Sequence, residues 1–124
     1  GADWKLTLFQ EGESDYYGSI ASEVEALLKS GEFQEAHFRA MEIMYPGSMP
    51  DAAGLCELFA VSAAELGTLE AFQMAEDVSL NLLGVPVYQI DSDSPDYLAS
   101  LEVYAAVAPE GTAELIIERT VVHE

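Results

Sequence analysis

Three aspartates in the run Asp91-Ser92-Asp93-Ser94-Pro95-Asp96, with Glu102 at the twelfth position counted from Asp91, space oxygen donors much as a calcium loop does. Ca²⁺ takes carboxylates at alternate loop positions and a closing bidentate glutamate. The pattern breaks at its centre. Pro95 stands fifth, and Asp96 stands sixth where the sharp turn needs glycine. The run reads as a solvated acidic turn, and no metal ligand set is assigned.

Other residues able to do chemistry are isolated. Cys56 sits within Leu55-Cys56-Glu57-Leu58-Phe59-Ala60. In such apolar company a thiol acts as a small hydrophobe, and burial raises its pKa, which removes the thiolate a nucleophile needs. As the single cysteine it excludes an internal disulfide and fits a reducing compartment. His37 falls among helical residues and His123 is next to last, with no ligand spacing around either to define a zinc site. Paired carboxylates serve acid–base chemistry only when burial splits their pKa values, and among 23 acids close pairs arise by chance. No Gly-rich phosphate loop, Gly-x-Ser-x-Gly or His-Glu-x-x-His run occurs. The expectation is a chain that is not an enzyme, with no catalytic residues, metal or cofactor.

Charge is the stronger signal. Acidic residues number 23 and basic residues 4, for a formal net charge of −19. Lys5, Lys29, Arg39 and Arg119 are the only cations, so most carboxylates lack an ion-pair partner within the chain. Such a field repels nucleic acid and anionic membrane and attracts basic proteins. The same charge also keeps a protein soluble, so it speaks to association and not to fold. A hydrophobic fraction of 50% argues against disorder. At 124 residues the chain is expected to form one domain, spanning 1–124. No run of about 20 apolar residues is present to span a membrane. No leader is legible either, and the cytoplasm is the expected compartment.

The elements that must position these groups follow from periodicity. Trp4 to Gln10 alternates as a strand, with Trp4, Leu6 and Leu8 on one face. A first helix is expected from Ser19 to Ser30, on Ile20, Val24, Leu27 and Leu28, with Gly31 ending it. A second runs from Glu32 to Tyr45, on Phe33, Ala36, Ala40, Met41 and Met44, and Pro46-Gly47 stops it. A third starts around Ser48 to Asp51 and runs to Leu66. It is apolar on nearly all sides, which predicts the central, buried helix, with Leu55, Phe59 and Leu66 in the core. A fourth covers Thr68 to Leu83, with Leu69, Phe72, Ala75 and Leu80 inward and Glu70, Glu76 and Asp77 outward.

The remainder reads as β. Val85 to Ile90 is a short strand, and Leu98 to Ala108 and Ala113 to His123 are longer ones joined by Pro109-Glu110-Gly111-Thr112 as a hairpin. The expected fold class is α+β, with four helices packed on one face of a small, mainly antiparallel sheet in the order β-α-α-α-α-β-β-β. Gly31-Glu32-Phe33-Gln34-Glu35-Ala36 and Gly67-Thr68-Leu69-Glu70-Ala71 both open a helix after a glycine. The first, with Ala40 and Pro46 downstream, resembles the second helix of a tetratricopeptide repeat over about half a repeat. The preceding helix lacks that family's aromatic and glycine positions, so the likeness is one of αα-hairpin chemistry.

The functional expectation is a non-enzymatic acidic binding protein that inhibits or neutralises a basic protein, as an immunity protein, inhibitor or DNA mimic does. The partner is expected to be a nuclease or another nucleic-acid-binding protein, with no direct contact to nucleic acid or membrane. The residues expected to meet it are Glu11, Glu13 and Asp15 with Tyr16 and Tyr17, and Asp91, Asp93 and Asp96 with Tyr97. Loops on a rigid scaffold carry function, and tyrosine beside carboxylates suits an interface. The first alternative is a helical-hairpin adaptor or chaperone whose acidity serves solubility. The second is a small enzyme without a short motif.

Overall fold

Regular breaks divide the chain into helices. The computed structural model describes residues 18–43 and 51–122. Helix α1 spans 18–29 and buries Ile20, Val24 and Leu28, one per turn. Gly31 then adopts a left-handed conformation, φ +81°. Its N–H donates to Leu28 O, and the Glu32 N–H donates to Leu27 O. That pair of bonds closes the helix end in the way glycine permits. Helix α2 (Phe33–Ala40) follows and buries Ala36 and Ala40. It is shorter than the sequence predicts, and Tyr45 lies outside the described residues.

Helix α3 (Ala52–Ala63) starts on Asp51, whose carboxylate accepts the Gly54 N–H at 3.1 Å. Ala53 is its only exposed position. A 3₁₀ turn (Ala64–Leu66) continues it to Gly67, and there the expected core residue Leu66 is instead 45% exposed. Helix α4 (Leu69–Leu83) is capped by Thr68, which accepts the Ala71 N–H, and ends on left-handed Gly84. Phe72 and Ala75 are buried as expected, whereas Leu69 and Leu80 are exposed. Glu76, expected outward, is half-buried.

The C-terminal third overturns the α+β expectation. No strand occurs among the described residues. Val85–Ile90 holds a 3₁₀ turn (Val87–Gln89), the Leu98–Ala108 segment lies in helix α5 (Pro95–Val107) with Ala108 as its C-cap, and the Ala113–His123 segment lies in helix α6 (Glu110–Val122), His123 itself being outside the described residues. Pro109 separates two helices and not two strands. The expected Trp4–Gln10 strand also falls outside the described residues.

The physical reason lies in capping and period. Ser94 accepts the Tyr97 N–H, and Pro95 sits in the first turn, where no backbone donor is required. Tyr97, Leu101 and Tyr104, spaced i, i+4, i+7, are fully buried. An extended chain would turn Tyr97 and Tyr104 to opposite faces. Packing on one helical face outweighs the β preference of Val, Ile, Thr and Tyr. The Tyr104 hydroxyl donates to Ala60 O, which ties α5 to α3.

Helix α3 thus lies against both α4 and α5, and α6 packs on α5. Phe59, Val78, Leu101 and Tyr104 belong to the shared core. Among the described residues no helix is long and apolar enough to cross a membrane.

Candidate partner-binding surface

The segment 84–94 between α4 and α5 is fastened by side chains from four helices. Ser92 Oγ and Ser94 Oγ both donate to Glu57 Oε1 of α3, at 2.7 and 2.6 Å. Glu76 of α4 accepts the Val87 N–H at 3.0 Å, and the Tyr97 hydroxyl of α5 donates to Val87 O at 2.7 Å. From α6, Arg119 Nη2 donates to Ser92 O at 3.0 Å and Ile90 O at 3.3 Å, and its guanidinium lies 6.0 Å from the centre of the Tyr97 ring. One scarce cation therefore holds backbone carbonyls and not a carboxylate.

This scaffold decides the fate of the expected contact residues. Asp91, Asp93 and Asp96 are all exposed: the pinned segment displays the first two, while Asp96 stands in the first turn of α5 and not in the loop expected from the sequence. Tyr97 is the correction: it is fully buried, and its hydroxyl is committed to Val87. Burial pushes its pKa up to about 12, with Arg119 opposing the rise. It supports the loop from beneath and is not free to touch a partner. Glu11, Glu13, Asp15, Tyr16 and Tyr17 lie outside the described residues. Among the described residues no three acidic, histidine or cysteine side chains converge to hold a metal ion. Glu102, the would-be closing ligand, stands on an exposed position of α5.

Cys56 is buried, and desolvation pushes its thiol up to about 12, so the reactive thiolate is absent near neutrality. His37 packs edge-on to Phe59, ring centres 6.4 Å apart, and its Nε2 lies 3.4 Å from Asp77 Oδ2 without forming a hydrogen bond. Both read as parts of the packing between helices.

A second surface was not legible in the sequence. Along α2 run two adjoining open clefts of about 490 and 500 Å³ that share Gln34 and Glu35. Phe33, Leu66 and Met74 line the first, and Leu27 and Phe38 the second. Phe38 is 72% exposed. Glu32 and Glu70 border one cleft, and Glu23 and Glu42 the other. Gln34 Nε2 donates to Glu70 Oε1 at 2.7 Å and so bridges α2 to α4. Arg39 is held by Glu23, 2.7 Å away, and by Glu42, and the hydrogen bond it donates to Glu23 raises its pKa further. The one sequence signal was Phe38 itself, an aromatic residue that falls off the buried stripe of α2.

No protein-family model, curated protein or solved structure matches the chain.

Proposed function

We propose that this protein is a non-enzymatic acidic binder that neutralises a basic protein partner in the cytoplasm. The observation that carries the reading is the state of the charges. Apart from Glu42, Glu57 and Glu76, every described carboxylate is exposed. The described cations are too few to offset them: Arg39 is paired with Glu23 and Glu42, Arg119 sits on backbone carbonyls, and Lys29 adds one further charge. Exposed, unpaired carboxylates on a helical scaffold present a field suited to a surface built to hold phosphates, such as that of a nuclease. Asp91 and Asp93 on the pinned segment, with Asp96 in the first turn of α5, are the first contacts proposed, because a held backbone loses little freedom on binding.

The test is capture from the native host's extract at low ionic strength, followed by competition with duplex DNA. A retained basic protein that DNA displaces supports the reading. Retention of neutral or acidic proteins alone overturns it. The helical-hairpin adaptor remains as a second reading, favoured by the apolar clefts along α2.

A further inference from the structure

We infer that the cleft along α2 docks a basic segment of the partner protein that carries large apolar side chains among its lysines or arginines. The inference rests on the reading of the acidic surface as a receptor for basic protein. It adds where the contact is made and what the partner must present.

The cleft has an apolar floor and a carboxylate rim. Phe38 at 72% exposure and Leu66 at 45% are large side chains left in water within adjoining hollows. Each hollow, at about 490 and 500 Å³, falls in the range that accepts bulky groups. Because they share Gln34 and Glu35, a single extended or helical segment can cross both. Glu23, Glu35 and Glu42 flank one half, and Glu32 and Glu70 flank the other. Arg39 adds no net positive charge there, since Glu23 and Glu42 both pair with it. A hydrophobic anchor with lysine or arginine on either side is complementary to both features.

The charges disfavour other occupants. A second copy would bring another net −19 against the same rim. Residues 1–17 of the chain carry Asp3, Glu11, Glu13 and Asp15 against the single cation Lys5. A foreign basic segment is the complementary occupant.

The two contributions separate experimentally. Charge governs association and weakens with salt, whereas an apolar anchor governs dissociation and persists. The probes are two fluorescent peptides of equal length and equal lysine count, one with leucines between the lysines and one with serines there. Anisotropy titrations use the full chain near physiological salt. The leucine peptide is expected to bind at least about tenfold tighter than the serine peptide. Phe38→Ala should remove about tenfold of that affinity and leave the serine peptide unchanged. Leu66→Ala, at a 45% exposed position in the adjoining hollow, provides a second substitution, and thermal melting checks that both variants fold. Equal binding of the two peptides, or indifference to both substitutions, overturns the groove while the acidic reading stands. If neither peptide binds even at low salt, the acidic reading fails with it. A photo-crosslinker at position 34 that captures residues 1–17 or a second copy in preference to the leucine peptide also overturns the proposal.

Discussion

Arg119→Ala should loosen the attachment of α6 and the 84–94 segment far more than a surface substitution normally does. Arg119 Nη2 donates to Ser92 O at 3.0 Å and to Ile90 O at 3.3 Å, and the guanidinium faces the Tyr97 ring at 6.0 Å. A hydrogen bond from a charged donor is worth about 1.5–3 kcal/mol when well formed. The longer bond is weaker, and stacking at the edge of cation–π range adds only about 0.5 kcal/mol at a partly exposed site. Together these give about 2–3 kcal/mol, a large share of the roughly 5–15 kcal/mol that stabilises a domain of this kind. With a urea slope of about 1–3 kcal/mol/M, the unfolding midpoint should fall by roughly 1 M or more. Removing a cation also adds to the net charge of −19, so repulsion must be separated from lost bonds. Salt makes the separation. In about 0.5 M NaCl the repulsive part is screened while the local loss persists. Arg119→Lys keeps the charge but not the planar fork, and should lose about half as much. An Arg119→Ala midpoint that returns to the parent value in high salt would refute the clip and leave only the charge effect.

Raising NaCl from about 0.01 to 0.5 M should raise the melting temperature of the parent chain, because salt screens unpaired carboxylates; a flat or falling curve would show that they are too far apart to matter. Burial pushes the Glu76 carboxyl above its ordinary range, with the Val87 N–H opposing and Asp77 assisting. Its folded pKa therefore exceeds its unfolded one, and the stability this contributes at low pH is lost as pH rises through the raised value. Glu76→Gln keeps an acceptor for Val87 and should flatten that pH dependence, leaving melting near pH 7 unchanged or raised. Glu76→Ala strands the Val87 N–H and should cost about 1–3 kcal/mol by urea unfolding. Phe59→Ala empties a fully buried site and should cost about 3–5 kcal/mol, whereas Leu58→Ala, at a partly exposed position, should cost less.

The helix stops were legible where glycine marks them. Gly31, Gly67 and Gly84 all take positive φ, and each ends a helical segment near its expected place. What misled was composition in the last third. Val103, Val107, Ile116, Ile117, Val121 and Val122 suggest strands, yet Tyr97, Leu101 and Tyr104 repeat with helical spacing. Ser94-Pro95-Asp96 is a helix start of the kind expected at Ser48–Asp51, obscured because the aspartates around it read as a loop. The exposure of Asp91 and Asp93 was legible from their turn chemistry, whereas Asp96 is exposed in the first turn of α5 and not in the loop its neighbours suggest. The burial of Tyr97 was not, because its hydroxyl partner, Val87 O, lies on the preceding segment. The cleft along α2 was hidden for a similar reason. Leu66 meets the Phe33 region only after two helical hairpins fold against each other.

The most direct measurement of whether the acidity serves binding is the association rate with a captured basic partner across about 0.02–0.5 M NaCl. Stopped-flow traces of the parent are compared with a variant carrying Asp91→Lys, Asp93→Lys and Asp96→Lys. The account predicts a steep fall in the parent's rate with salt, and a slower rate for the variant with a shallower salt dependence. An association rate that is independent of salt, or that the charge reversal leaves unchanged, contradicts it.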